Sequence, residues 1–137
     1  MRNLKKNQMT GFDWNTFYSL FQAKMKDVCT VGRYTTPKLT TFPYCDVELS
    51  DISGGNYDLV GNEGIQKVMI TLNVYCNNYD DATCYDVSMK AKEVMLSYGF
   101  ECTVGPIKID NMDPAVARWV ARYKRTFGNG DILKQFH

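Results

Sequence analysis

From Ala115 to Lys124 the chain alternates: Ala115, Ala117, Trp119, Ala121 and Tyr123 hold the odd positions, and Val116, Arg118, Val120, Arg122 and Lys124 the even ones. Successive side chains of a strand point to opposite faces, so this stretch buries an apolar side only as an extended strand whose other side carries three cations. A second stretch has the same period. Val68, Ile70, Leu72, Val74 and Cys76 point one way, and Lys67, Met69, Thr71, Asn73 and Tyr75 the other. That outer set is neither charged nor plainly apolar, the composition of a sheet face that packs against a helix or a neighbouring subunit.

Helical spacing marks two further segments. After Asp13, a good N-cap, Trp14, Phe17, Tyr18, Phe21, Met25 and Val28 recur at the period of an amphipathic helix of about four turns. Asp80 or Asp81 opens a second helix with Cys84, Val87, Ala91, Val94, Met95 and Tyr98 on its buried stripe, and Gly99 supplies the left-handed position that closes it. Between the helices, residues 30–41 read as an irregular connection rich in threonine. A half-buried strand follows Pro43, with Cys45, Val47 and Leu49 opposite Asp46, Glu48 and Ser50. Residues 53–64 read as an extended glycine-rich loop whose anchors are Tyr57, Leu59 and Val60. Residues 103–109 make a short strand interrupted by Gly105-Pro106, and Asp110-Asn111-Met112-Asp113-Pro114 a turn before the last strand.

The expected fold is therefore α/β in the α+β sense: a single domain over residues 1–137, with a small mixed or antiparallel sheet flanked by two helices in the order α-β-β-α-β-β. Residues 1–11 form a basic N-terminal arm and residues 128–137 a C-terminal tail. An apolar share of 45% is enough for one core. The N-terminal segment lacks the apolar block of a signal peptide and no apolar run is long enough to span a bilayer, so a soluble chain made in the cytoplasm, without a membrane partner, is expected.

Few residues point to chemistry. The five cysteines are odd in number and form no Cys-x-x-Cys pair, and the lone histidine is His137. Neither a catalytic residue nor a metal or cofactor site is expected, and the cysteines read as small buried hydrophobes. Asp80-Asp81 suits a helix N-terminus, and Asp110 and Asp113 suit a turn. Net charge is only +1, yet it is segregated: residues 41–64 hold five acids and no cation, and residues 114–137 hold five cations and one acid. Arg118, Arg122 and Lys124, with Arg125 on the opposite side of the strand, are candidate contacts for the acidic middle of a neighbouring copy, where Asp46 and Glu48 lie.

The order and spacing of the pieces over residues 43–127 resemble those of the tail-terminator, or tail-to-head joining, proteins of long-tailed bacteriophages. The pieces are the strand end Leu72-Asn73-Val74-Tyr75-Cys76-Asn77-Asn78, the helix closed by Tyr98-Gly99-Phe100, the turn Asp110-Asn111-Met112-Asp113, and the strand with Arg118-Trp119-Val120-Ala121-Arg122-Tyr123. The resemblance implies a virion protein, assembled in the host cytoplasm, that forms a hexameric ring with itself, caps the tail tube and offers a docking surface to the head connector. Its partners would be the tail-tube protein, the connector or stopper protein and, without sequence preference, the DNA threading the ring. In the same resemblance the loop anchored by Tyr57, Leu59 and Val60 projects from the ring. The basic stretch Arg2, Lys5 and Lys6 has no counterpart in that pattern. Two other readings of the residues are another neck or head-completion adaptor, and a small DNA-binding or nuclease-like module built on Arg118, Arg122, Lys124 and the Asp110/Asp113 turn.

Overall fold

In the computed structural model, residues 12–34, 41–54 and 65–128 are described. The elements run α1 (Trp14–Met25), β1 (Thr30–Arg33), β2 (Tyr44–Gly54), β3 (Ile65–Asn77), a short 3-10 turn (Asn78–Asp80), α2 (Asp81–Ser97), β4 (Glu101–Ile109) and β5 (Val116–Gly128). The sheet order is β1-β2-β3-β5-β4, with β1 parallel to β2 and the remaining neighbours antiparallel. The sheet is mixed and open, and the fold is α+β.

Both long strands obey their alternation. Val68, Ile70, Leu72, Val74 and Cys76 of β3 and Ala117, Ala121, Tyr123 and Phe127 of β5 are buried against Phe17, Phe21 and Met25 of α1 and Cys84, Val87, Ala91, Val94 and Met95 of α2. The helix α2 lies close to the strands, since the Cys84 thiol donates to the Val74 carbonyl at 3.4 Å. Cys45, Cys76 and Cys84 are buried and every cysteine is free. Burial pushes the Cys29 thiol up to about 12 and Cys45 well above its ordinary value, so at neutral pH they pack as small apolar groups.

The helix ends follow local chemistry. Asp13 caps α1 by accepting from the Thr16 amide at 2.9 Å. At the end of α2, the Gly99 amide donates to the Leu96 carbonyl and the Phe100 amide to the Met95 carbonyl, with Gly99 at φ 83°. This is the Schellman closure that a glycine permits. Phe100 then joins Phe12, Phe17 and Phe127 in an aromatic cluster, with centroids 5.5 Å apart for Phe17–Phe100 and for Phe12–Phe127, which ties the start of α1 to the end of β5.

One expectation needs correction: the order is α-β-β-β-α-β-β, because residues 30–33, read as irregular, form β1. Four residues carry no readable alternation. What makes them a strand is tertiary: Val31 is buried, Arg33 lies 4.4 Å over the Tyr18 ring and donates to Asn15, and the Thr30 amide donates to the Pro43 carbonyl. Beyond Arg33 the Tyr34 hydroxyl continues the edge, accepting from the Leu49 amide at 2.8 Å and donating to its carbonyl at 3.2 Å. The segment 53–64 is also shorter as a loop than expected, since β2 extends through Gly54. The basic arm, residues 55–64 of the loop and residues 129–137 of the tail lie outside the described residues.

Two predictions concern this frame. Gly105 has φ +78°, and a Cβ there would meet the Val120 carbonyl oxygen at 2.3 Å, so Gly105→Ala is expected to cost about 2 kcal/mol or more in urea unfolding. Asp81 accepts from the Trp119 indole at 2.9 Å and pairs with Lys108 at 3.3 Å. The indole hydrogen bond first, and then the ammonium, lower its pKa. The stability it contributes is thus present above the ordinary carboxylate value and lost as pH falls below about 4. Asp81→Asn is expected to show a smaller loss of melting temperature between neutral pH and pH of about 3 than the native chain.

Candidate functional site

Helices cover one side of the sheet; among the described residues the other side is open. The pairing registers arrange its outward residues in rows across β2, β3 and β5. Tyr44, Tyr75 and Arg118 make the first, Asp46, Asn73 and Val120 the second, Glu48, Thr71 and Arg122 the third, and Asp51, Met69 and Lys124 the fourth. On β4, Ile109, Ile107 and Val104 extend the first three rows with apolar side chains and Glu101 extends the fourth. Read down the strands, the rows become columns: three acids after Tyr44 on β2, polar groups and a methionine on β3, three cations interrupted by Val120 on β5, and aliphatics ending at Glu101 on β4.

A shallow depression of about 760 Å³ lies on this face, with Glu48, Thr71, Asn73, Arg118, Val120 and Arg122 among its lining residues. Its floor is polar yet buried: Thr71 and Asn73 are 7% and 3% exposed. Ser50 and Thr71 share a hydroxyl hydrogen bond. Arg118 donates from both Nε and Nη2 to Asn73 Oδ1, at 3.0 and 2.9 Å, and its guanidinium lies 5.9 Å over the Tyr75 ring. Burial raises the Tyr75 phenol pKa, and the Arg118 charge partly offsets the rise. Arg118 is thus held by neutral groups.

Arg122 and Lys124 are exposed, and among the described residues neither pairs with an acid, nor do Glu48 and Asp51 pair with a cation. Two strand spacings, about 10 Å, separate the acidic column from the basic one. Among the described residues the face therefore presents Glu48 and Asp51 beside Arg122 and Lys124 without pairing them.

Of the residues singled out from sequence, the structure brings Asp46, Glu48, Arg118, Arg122 and Lys124 onto this single face. Asp46 is buried and engaged within the chain. Arg125 stands on the other side, buried under the end of α2, where it donates to the Tyr98 carbonyl at 2.6 Å and covers the Phe127 ring at 4.1 Å. Tyr57, Leu59 and Val60 lie outside the described residues. Sequence reasoning missed Asp51, because a bulge between Leu49 and Asp51 breaks the period that would have turned it inward. It also missed Asn73 as the seat of Arg118, although the outward alternation of β3 contained it.

The remaining acids serve local structure. Asp113 accepts from the Ala115 amide at 2.9 Å within its turn, and Asp80 accepts from the Thr83 hydroxyl at 2.8 Å. Among the described residues no His, Cys, Asp or Glu cluster is arranged to hold a metal ion, and no helix is long and apolar enough to cross a membrane. Compared with family models and with curated proteins, the sequence matches none.

The contrast between the two arginines is measurable. Asn73→Ala removes the acceptor of both Arg118 hydrogen bonds and is expected to cost about 1–2 kcal/mol in urea unfolding. Arg122→Ala, which removes no side-chain bond among the described residues, is expected to change stability by less than about 0.5 kcal/mol.

Proposed function

We propose that this chain is a structural subunit that works by assembly, as a ring that ends a phage tail tube and joins it to the head connector. The observation that carries the reading is the sheet face away from the helices, on which Glu48 and Asp51 of β2 and Arg122 and Lys124 of β5, without an ion-pair partner among the described residues, form separate columns. A sheet with helices on one side leaves its other side for a partner layer. Segregated charges of both signs suit a neighbour that carries the same pattern, because one copy's acids can meet the next copy's cations. The resemblance in the order of strand, helix, turn and strand over residues 43–127 supplies the finer part: the ring, the tail-tube protein below it, the connector above it and the virion as its location.

In such a ring the contacts are geometric. One surface matches the last layer of tube protein and the other does not, so polymerisation stops there. The test is electron microscopy of tail tubes, made from the tube protein of the phage that carries the chain, with and without this protein added. Annular particles at one tube end and tubes of arrested length are expected. Unchanged elongation would overturn the reading. If the chain instead binds duplex DNA with an affinity that falls steeply with salt, the result favours a nucleic-acid module.

A further inference from the structure

We infer that the free chain pairs with a second copy of itself across the open sheet face, about a two-fold axis parallel to β3 and lying above it. The sheet's edges are poorly suited to self-association. The outer strand β1 has four residues, and β4 carries two register irregularities and Pro106, features that oppose strand addition. The face remains.

Two sheets stacked face to face by a two-fold axis allow two simple arrangements. With the axis across the strands, β2 covers β2 and β5 covers β5, which sets acids on acids and cations on cations. With the axis along β3, left and right exchange while height along the strand is kept, so β2 of one copy covers β5 of the other. The rows then match. Glu48 shares a row with Arg122, and Asp51 shares the next with Lys124. Glu48 and Asp51 therefore each stand over a cation of the second copy, and symmetry repeats both pairs. Tyr44 in its turn stands over the second copy's Arg118, ring to guanidinium.

Stacked sheets lie about 10 Å apart and within about 30° of alignment. One strand away from the axis that angle shifts facing residues by about 3 Å, which long side chains such as arginine, lysine and glutamate can span. Val120, Ile107, Ile109 and Met69 lie on the same face and supply apolar surface between the charges. Asp46 faces Val120 in this arrangement and lacks a cation there, but it is engaged within its own chain.

Such a pair is closed. Both columns of both copies are used, so it does not grow, whereas a head-to-tail ring would turn each column toward a different neighbour. The inference concerns the free chain only and does not rest on the tail-tube reading; it can fail while rings on tube ends still form, and the reverse also holds.

The test uses two variants of the full chain, one with the two β5 cations made acidic (Arg122→Glu with Lys124→Glu) and one with the two β2 acids made basic (Glu48→Lys with Asp51→Lys), in analytical ultracentrifugation and native mass spectrometry. Circular dichroism melts show that each variant is folded before it is used. The native chain is expected to form a dimer that weakens by about tenfold or more from low to molar salt, as screening of exposed charges requires. Each variant alone is expected to remain monomeric, and their equimolar mixture to restore a dimer with one copy of each. A native chain that is monomeric at every salt concentration, variants that dimerise as well as the native chain, or a mixture that builds assemblies larger than two would each overturn the pairing.

Discussion

The antiparallel ladder between β3 and β5 runs without a break from Ile65 opposite Gly128 to Asn77 opposite Val116, and the placement of nearly every other group depends on its register. Side chains alternate on both strands, so a slip of one residue would turn Arg122 and Lys124 under the helices and Tyr123 and Ala121 into solvent. Burial of Val68, Ile70, Leu72 and Val74 against α1 and α2 excludes that slip. The apolar side of the ladder thereby decides what the other side displays. The columns of the open face are a consequence of how the core is packed.

The same strand disposes of its cations in three ways. Arg118 folds onto Asn73 and Tyr75, Arg122 and Lys124 extend into solvent, and Arg125 goes inside. The buried guanidinium is stable there because the Schellman closure at Gly99 leaves the Tyr98 carbonyl available at the negative end of the α2 dipole. Phe127 covers its face. A cation on the apolar side of a core strand is therefore a fixture of the helix end, and the uncommitted charge of β5 is confined to the open side.

Much of this was legible in order along the chain. The cap at Asp13, the closure at Gly99-Phe100, the two buried helix stripes and both faces of β3 follow from local propensity and period, because one interaction dominates each: a side-chain cap, a positive φ, or burial of a repeating apolar set. Where two effects competed, the reading failed. The strand β1 is too short for a period and exists because Val31 and Arg33 pack on α1. Asp51 is turned outward by the bulge after Leu49, whose free amide and carbonyl are taken up by the Tyr34 hydroxyl, a group fifteen residues away in sequence.

By itself the sequence determined the fold class, the two helices and the inward and outward sets of the long strands, because periodicity and end-capping act over a few residues. It also placed the acids and the cations on separate segments. Only the tertiary structure decided that β5 enters the sheet between β3 and β4, so that the acidic and basic strands flank the same central strand on the same open face. Strand order is set by long-range packing and by the path of the connections, neither of which leaves a local mark. That order makes Glu48 and Arg122, seventy-four residues apart, members of one row.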